Sequence, residues 1–184
     1  MSSSRYIALL RGINVGGHKK IKMADLRACL EVAEFTNVKT VLASGNVAFD
    51  RSNVLSQADK QALANQLSGI IEAQFGFPVP VIVVTQAQIQ DLIANDPFAD
   101  ITVTDNTRLY VTFLPQPTPT PIDLPHQLDD GKYTILTCDD GMVTSVLELS
   151  KVHKTTDAMK VLETHFGKAI TTRNWKTVLK IAKL

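Results

Sequence analysis

The stretch Arg11-Gly12-Ile13-Asn14-Val15-Gly16-Gly17-His18-Lys19-Lys20-Ile21-Lys22 gathers glycines, an amide and several cations. Gly12, Gly16 and Gly17 let the backbone take positive φ or approach another group closely. Arg11, His18, Lys19, Lys20 and Lys22 set positive charge beside backbone N–H groups. The chemistry this supports is anion binding, in which N–H donors and cations converge on a carboxylate or phosphate. The competing reading is plainer: the glycines turn the chain and water solvates the lysines.

Gly12 and Gly17 have P-loop spacing, after an apolar run and before a helical pattern. A P-loop also needs Lys followed by Ser or Thr, for the phosphates and the magnesium ion. His18 and Lys19 stand there instead, so NTP hydrolysis is not expected. Two other groups could complete an anion site. Ser44 and Asn46 offer side-chain hydrogen bonds, or serve as ordinary hairpin residues. Asn174 suits a helix N-cap, and Arg173 before it could grip a carboxylate or phosphate bidentately or simply hold a backbone carbonyl.

The motifs Arg11-Gly12-Ile13-Asn14-Val15-Gly16-Gly17 with Lys19 and Met23, Ser44-Gly45-Asn46-Val47, and Thr172-Arg173-Asn174-Trp175 together resemble the domain of unknown function 1697 family. They fall at the start, about a quarter of the way along and at the end, so the resemblance covers nearly the whole chain. It implies a compact, cytoplasmic, bacterial α+β protein. It implies no activity, substrate or cofactor. The sequence departs from the pattern at Glu34-Phe35-Thr36-Asn37, where the first helix should meet a glycine. Asn37 is read as taking that left-handed position.

Other chemistry finds little support. The 4 histidines, His18, His126, His153 and His165, have no ligand spacing. The 2 cysteines, Cys29 and Cys138, lie in apolar surroundings and read as free thiols of a reducing compartment. No G-x-S-x-G, H-E-x-x-H or catalytic cysteine context occurs. Asp139-Asp140 reads as turn chemistry rather than an acid–base pair. No metal and no cofactor is implied, and the catalytic residues are unknown.

A net charge of +1 over 184 residues gives no global field for nucleic acid or acidic membranes, so a charged partner must use a local patch. With 45% hydrophobic residues the chain can bury a substantial core. No apolar run approaches the ~20 residues of a membrane span, and Met1-Ser2-Ser3-Ser4 leads into a strand without a signal peptide. No membrane partner is expected, and nothing specifies an oligomeric state.

The elements that must position these groups follow in order. Tyr6–Leu10 suits a buried central strand. Met23, Leu26, Cys29, Leu30 and Ala33 make a helical stripe. Val38–Ser44 and Val47–Asp50 read as strands around a two-residue turn at Gly45-Asn46. Ser56 with Asp59 opens a second helix through Phe75, stopped by Gly76 and Pro78. Val79–Val84 is an edge strand because Pro80 lacks an N–H.

The order β-α-β-β-α-β predicts a ferredoxin-like subdomain over 1–84. Its geometry puts Arg11–Lys20, the turn at Ser44–Asn46 and the start of the first helix at one end of the sheet. A second, smaller α+β subdomain is expected over 85–184. It holds a Thr85–Gln88 cap, a strand at Arg108–Leu114, a proline-rich connection over 115–125, a hairpin around Asp139-Asp140-Gly141 and two helices. Arg5–Leu10 echoes Leu109–Leu114, as in a distant repeat.

The leading expectation is a small anionic ligand, phosphorylated metabolites included, held by Arg11, Asn14, Gly16, Gly17, His18, Lys19, Ser44 and Asn46, with Arg173 and Asn174 joining. An alternative is single-stranded nucleic acid stacked on Tyr6 and Phe49 of an RNA-recognition-like sheet. A third is a protein-interaction module using the proline segment.

Overall fold

The computed structural model describes residues 4–118, 122–128, 131–151 and 156–184. Residues 1–3, with the expectation of no signal peptide, and Pro119, Pro121 and His153 lie outside the described residues. The chain is an α+β protein with two antiparallel sheets. It forms two compact units, one running to Gln90 and including Leu179–Leu184, the other Asp91–Val178. The first unit thus extends past the expected boundary at residue 84. Thr85 ends a strand and also caps the next helix, with Gln88 N–H on Thr85 Oγ1 at 3.1 Å and Thr85 N–H on Gln88 Oε1 at 2.9 Å.

In the first unit, β1 (Ser4–Leu10), α1 (Met23–Val32), β2 (Thr36–Val41), β3 (Asn46–Arg51), α2 (Gln57–Phe75) and β4 (Val81–Thr85) follow one another. The sheet order is β2-β3-β1-β4, with every neighbouring pair antiparallel. β1 is central and apolar because both its faces are covered. Tyr6, Ala8 and Leu10 join Leu26 and Leu30 of α1 and Leu63, Leu67 and Ile71 of α2 in one core. Ile7 and Leu9, on the other face, are equally buried. β4 is an edge strand that begins just after Pro80, as the missing N–H requires. Helix α3 (Gln86–Ala94) follows it.

The helix boundaries have local causes. Ser56 and Asp59 form a reciprocal capping box on α2, and Gly76 closes that helix at φ +79°. At the end of α1 the sequence expectation needs correction. Glu34, not Asn37, takes the left-handed position, at φ +65°. Phe35 N–H then donates to Leu30 O at 3.0 Å and Glu34 N–H to Glu31 O at 3.1 Å. Asn37, at φ +50°, sits instead in an irregularity of β2 between Thr36 and Lys39.

The second unit holds β5 (Thr107–Phe113), β6 (His126–Leu128), β7 (Tyr133–Asp139), β8 (Met142–Glu148), α4 (Thr156–Phe166) and β9 (Thr171–Asn174). The sheet order is β6-β7-β8-β5-β9. Leu114, Tyr133, Ile135, Val143 and Leu147 pack with Ala158 and Leu162 of α4. Helix α5 (Trp175–Ile181) follows β9.

The two sheets share a plan. Within β7-β8-β5-β9, the central β5 pairs with β8 and β9 as β1 pairs with β3 and β4. The likeness extends to a turn: Leu10 N–H donates to Gly45 O at 2.9 Å, and Leu114 N–H to Gly141 O at 2.8 Å.

Candidate functional site

The loop between β1 and α1 folds as a small hairpin of its own. His18 N–H donates to Val15 O at 3.1 Å and Asn14 N–H to Lys19 O at 3.1 Å. Gly16 (φ +59°) and Gly17 (φ +80°) are the two central residues, and both need the positive φ of a primed turn. These two glycines therefore have a conformational reason to be there, whatever else they do.

Asn14, also left-handed at φ +55°, ties this hairpin to its surroundings. Its Nδ2 donates to Ile21 O at 2.9 Å and to Ala43 O at 2.7 Å. Its Oδ1 accepts from Ile21 N–H at 2.9 Å. Both amide hydrogens are thus engaged within the protein. Arg11 N–H donates to Pro80 O at 2.9 Å, anchoring the loop to the approach to β4.

The connection between β2 and β3 differs from the expected two-residue turn. Val41 pairs with Asn46, so Leu42, Ala43, Ser44 and Gly45 all lie in the loop. Leu42 has φ +59°, a conformation uncommon for leucine. Gly45 has φ +78°, and a Cβ there would lie 2.7 Å from Ile13 Cδ1 and 2.8 Å from Leu10 Cβ. Asn46 is fully buried, its Nδ2 donating to Val41 O at 2.8 Å and Ser44 Oγ at 3.1 Å. Ser44 and Asn46 thereby hold the loop closed on itself.

Between these pieces lies a cleft of about 600 Å³ lined by Asn14, Gly17, Lys20, Ile21, Lys22, Met23, Asp25, Ala43 and Phe75. Its polar side chains on the rim are the exposed Lys20, Lys22 and Asp25. Lys22 occupies the N-cap position of α1 and supplies no side-chain cap, since an ammonium cannot accept. The positive end of the helix dipole therefore meets the cleft without a side-chain cap from Lys22.

Of the residues singled out from sequence, Asn14 and Gly17 line this cleft, while Arg11, Gly16, His18, Lys19, Ser44 and Asn46 are near it in the chain but not in its lining. Lys19 Nζ donates to Pro78 O at 2.7 Å and lies 5.9 Å from the Phe77 ring centroid. Arg173 and Asn174 belong to the second unit. Arg173 is in β9, paired with Val111, and only 8% exposed. It donates to Thr171 Oγ1 at 2.9 Å and Thr172 O at 3.0 Å, and burial lowers its pKa to about 10. The sequence places Arg173 just ahead of a helix, but β9 runs on through Asn174 and takes the arginine into the sheet. Asn174 caps α5 through Oδ1 on Thr177 N–H at 2.8 Å.

Sequence reasoning missed Ile21, Met23, Asp25, Ala43 and Phe75 in the lining, and counted Lys20 and Lys22 only as part of the positive patch. Phe75 read only as the last member of the α2 core stripe. A smaller cleft of about 270 Å³ lies where β3 ends and α2 begins, lined by Arg51, Asn53, Asp59 and others. Asp59 there is already committed to Ser56. Tyr6 and Phe49 are fully buried and stacked 6.2 Å apart, so neither ring is exposed to receive a base. Among the described residues no group of three or more His, Cys, Asp or Glu could hold a metal ion. Among them, too, no helix is long and apolar enough to cross a membrane.

The family pattern described as protein of unknown function (DUF1697) matches residues 3–134. The chain belongs to the DUF1697 family. The matched span holds both cleft-forming loops, whereas Thr172–Trp175 lies beyond it. A solved structure of a conserved bacterial protein from Streptococcus pneumoniae is similar to this DUF1697 chain at 22% identity. The likeness covers 99% of this chain and 98% of that one with a TM-score of 0.71, and it establishes the shared fold. No curated protein matches the chain.

Proposed function

We propose that this protein binds a small anionic ligand, phosphorylated metabolites included, in the cleft beside the glycine-rich loop. The observation that carries the reading is the meeting of Lys20, Lys22 and the start of α1 on one cavity large enough for a metabolite. Two cations against the single carboxylate of Asp25 favour an anion there. Lys20 and Lys22, rather than Arg11 and Lys19, supply the charge in this reading. The Gly17 amide is a candidate donor. Asn14 shapes the wall instead of touching the ligand, because both its amide hydrogens are engaged.

The setting we assign is the cytoplasm, a reading supported by the unpaired thiols of Cys29 and Cys138. The test is thermal unfolding with phosphate and phenyl phosphate at low ionic strength. Both anions raise the midpoint of the wild-type protein, and the Lys20→Ala/Lys22→Ala variant loses the rise. A rise of the same size in the variant ends the reading.

A further inference from the structure

We infer that the ligand of the loop cleft is an amphiphilic anion, one acidic headgroup on an aliphatic or aromatic body, rather than a compact polyanion. The inference rests on the anion-binding reading and narrows its chemical class.

The lining divides by chemistry. Ile21, Met23, Ala43 and Phe75 contribute apolar surface, and Lys20 and Lys22 stand at the polar rim. Phe75 and Met23 are half-buried at the edge of the core that holds α1 and α2. They combine a packed side with a side on the cleft. A compact polyanion would fit such a lining poorly. It would use the two lysines and leave its other oxygens against hydrocarbon, which is costly without hydrogen bonds. Asn14 gives no relief, since Ile21 O and Ala43 O take both its amide hydrogens. An apolar body fills the same space favourably, at about 0.8 kcal/mol per methylene buried.

The walls are also set in advance. Asn14 clamps the loop to the Ala43 carbonyl, and Gly45 packs against Ile13 and Leu10 with no room for a Cβ. A preset cleft spends little binding energy on ordering itself.

The experiment titrates the full chain with hexyl phosphate, phenyl phosphate, inorganic phosphate and hexanol, by calorimetry and by amide NMR shifts. Hexyl and phenyl phosphate bind about tenfold or more tightly than inorganic phosphate or hexanol. Their shifts centre on Lys20–Asp25, Ala43 and Phe75. Met23→Gln, which keeps side-chain length and helix preference, narrows the gap between hexyl phosphate and inorganic phosphate. Lys22→Ala weakens both phosphates and spares that gap. Equal affinity for inorganic and hexyl phosphate at this cleft overturns the inference and leaves the anion reading standing. Shifts centred elsewhere also overturn it. Hexanol binding as well as hexyl phosphate, or binding by none of the four, removes the anion reading as well.

Discussion

The amide of Asn14 donates to the carbonyl of Ala43 at 2.7 Å, joining the loop after β1 to the loop between β2 and β3. These two segments are distant in sequence, and residues of both line one cleft. The bridge is specific because Asn14 also pairs with both backbone groups of Ile21, at the approach to α1. One side chain therefore fixes the relation of loop, hairpin and helix start.

Removing that bridge loosens the cleft. Asn14→Gly tolerates the positive φ and loses only the side chain, so it isolates the bridge. It lowers stability by about 1–3 kcal/mol, read as a shift in the urea midpoint. Asn14→Asp sets carboxylate oxygens against two carbonyls and costs at least as much. An Asn14→Gly midpoint equal to wild type means the bridge contributes nothing.

Two glycines with nearly equal φ separate conformational strain from crowding. Gly45 (φ +78°) has Ile13 and Leu10 within 2.8 Å of a Cβ position, whereas Gly76 (φ +79°) has nothing within 4 Å. Gly76→Ala costs about 1 kcal/mol from the backbone alone. Gly45→Ala adds overpacking and costs roughly 1–3 kcal/mol more. Equal losses in denaturant unfolding contradict this account of the hairpin.

Asp50 accepts from Arg5 Nη1 at 2.6 Å and from Asn37 Nδ2 at 2.9 Å. Burial pushes its carboxyl pKa up, but the Asn37 amide, the Arg5 guanidinium and the charge of Lys39 outweigh burial and hold it below the ordinary range. A carboxyl whose pKa is lower folded than unfolded stabilises the fold above the unfolded value and loses that contribution as pH falls through the folded one. Asp50→Asn therefore flattens the acid side of the stability profile and leaves its slope near neutrality unchanged. Chemical denaturation from pH 7 to pH 2 measures this, and parallel profiles for the two proteins refute it.

Salt separates the cleft from the core. Lys20 and Lys22 are exposed, so their attraction for an anion is screened as ionic strength rises. Phosphate stabilisation fades between low salt and about 0.5 M sodium chloride, while the midpoint without phosphate moves little. Stabilisation that survives high salt unchanged excludes these lysines as its source.

Much of this arrangement is legible in the residues. The apolar run Tyr6–Leu10, the helical stripe from Met23 and the capping box at Ser56 give the element order, and that order brings Arg11–Lys20 near Ser44–Asn46. What the residues do not announce is set by tertiary neighbours. Lys19 reads as an anion ligand or a solvated cation until Pro78 offers its carbonyl across the unit. Arg173 reads as a helix-start residue until pairing with Val111 draws it into β9. Glu34 has poor left-handed preference, yet the closing bonds of α1 place it there ahead of Asn37.

The shared plan of the two sheets has a consequence for how this chain can change. In the first unit the excursion after the central strand carries a basic loop and a full helix; in the second, the corresponding excursion carries proline-rich chain and the short β6. The Leu–Gly latch at the strand end is common to both. Such a latch is a framework onto which different crossovers can be grafted, so recognition can be rewritten in the excursion while the strands beneath it stay the same.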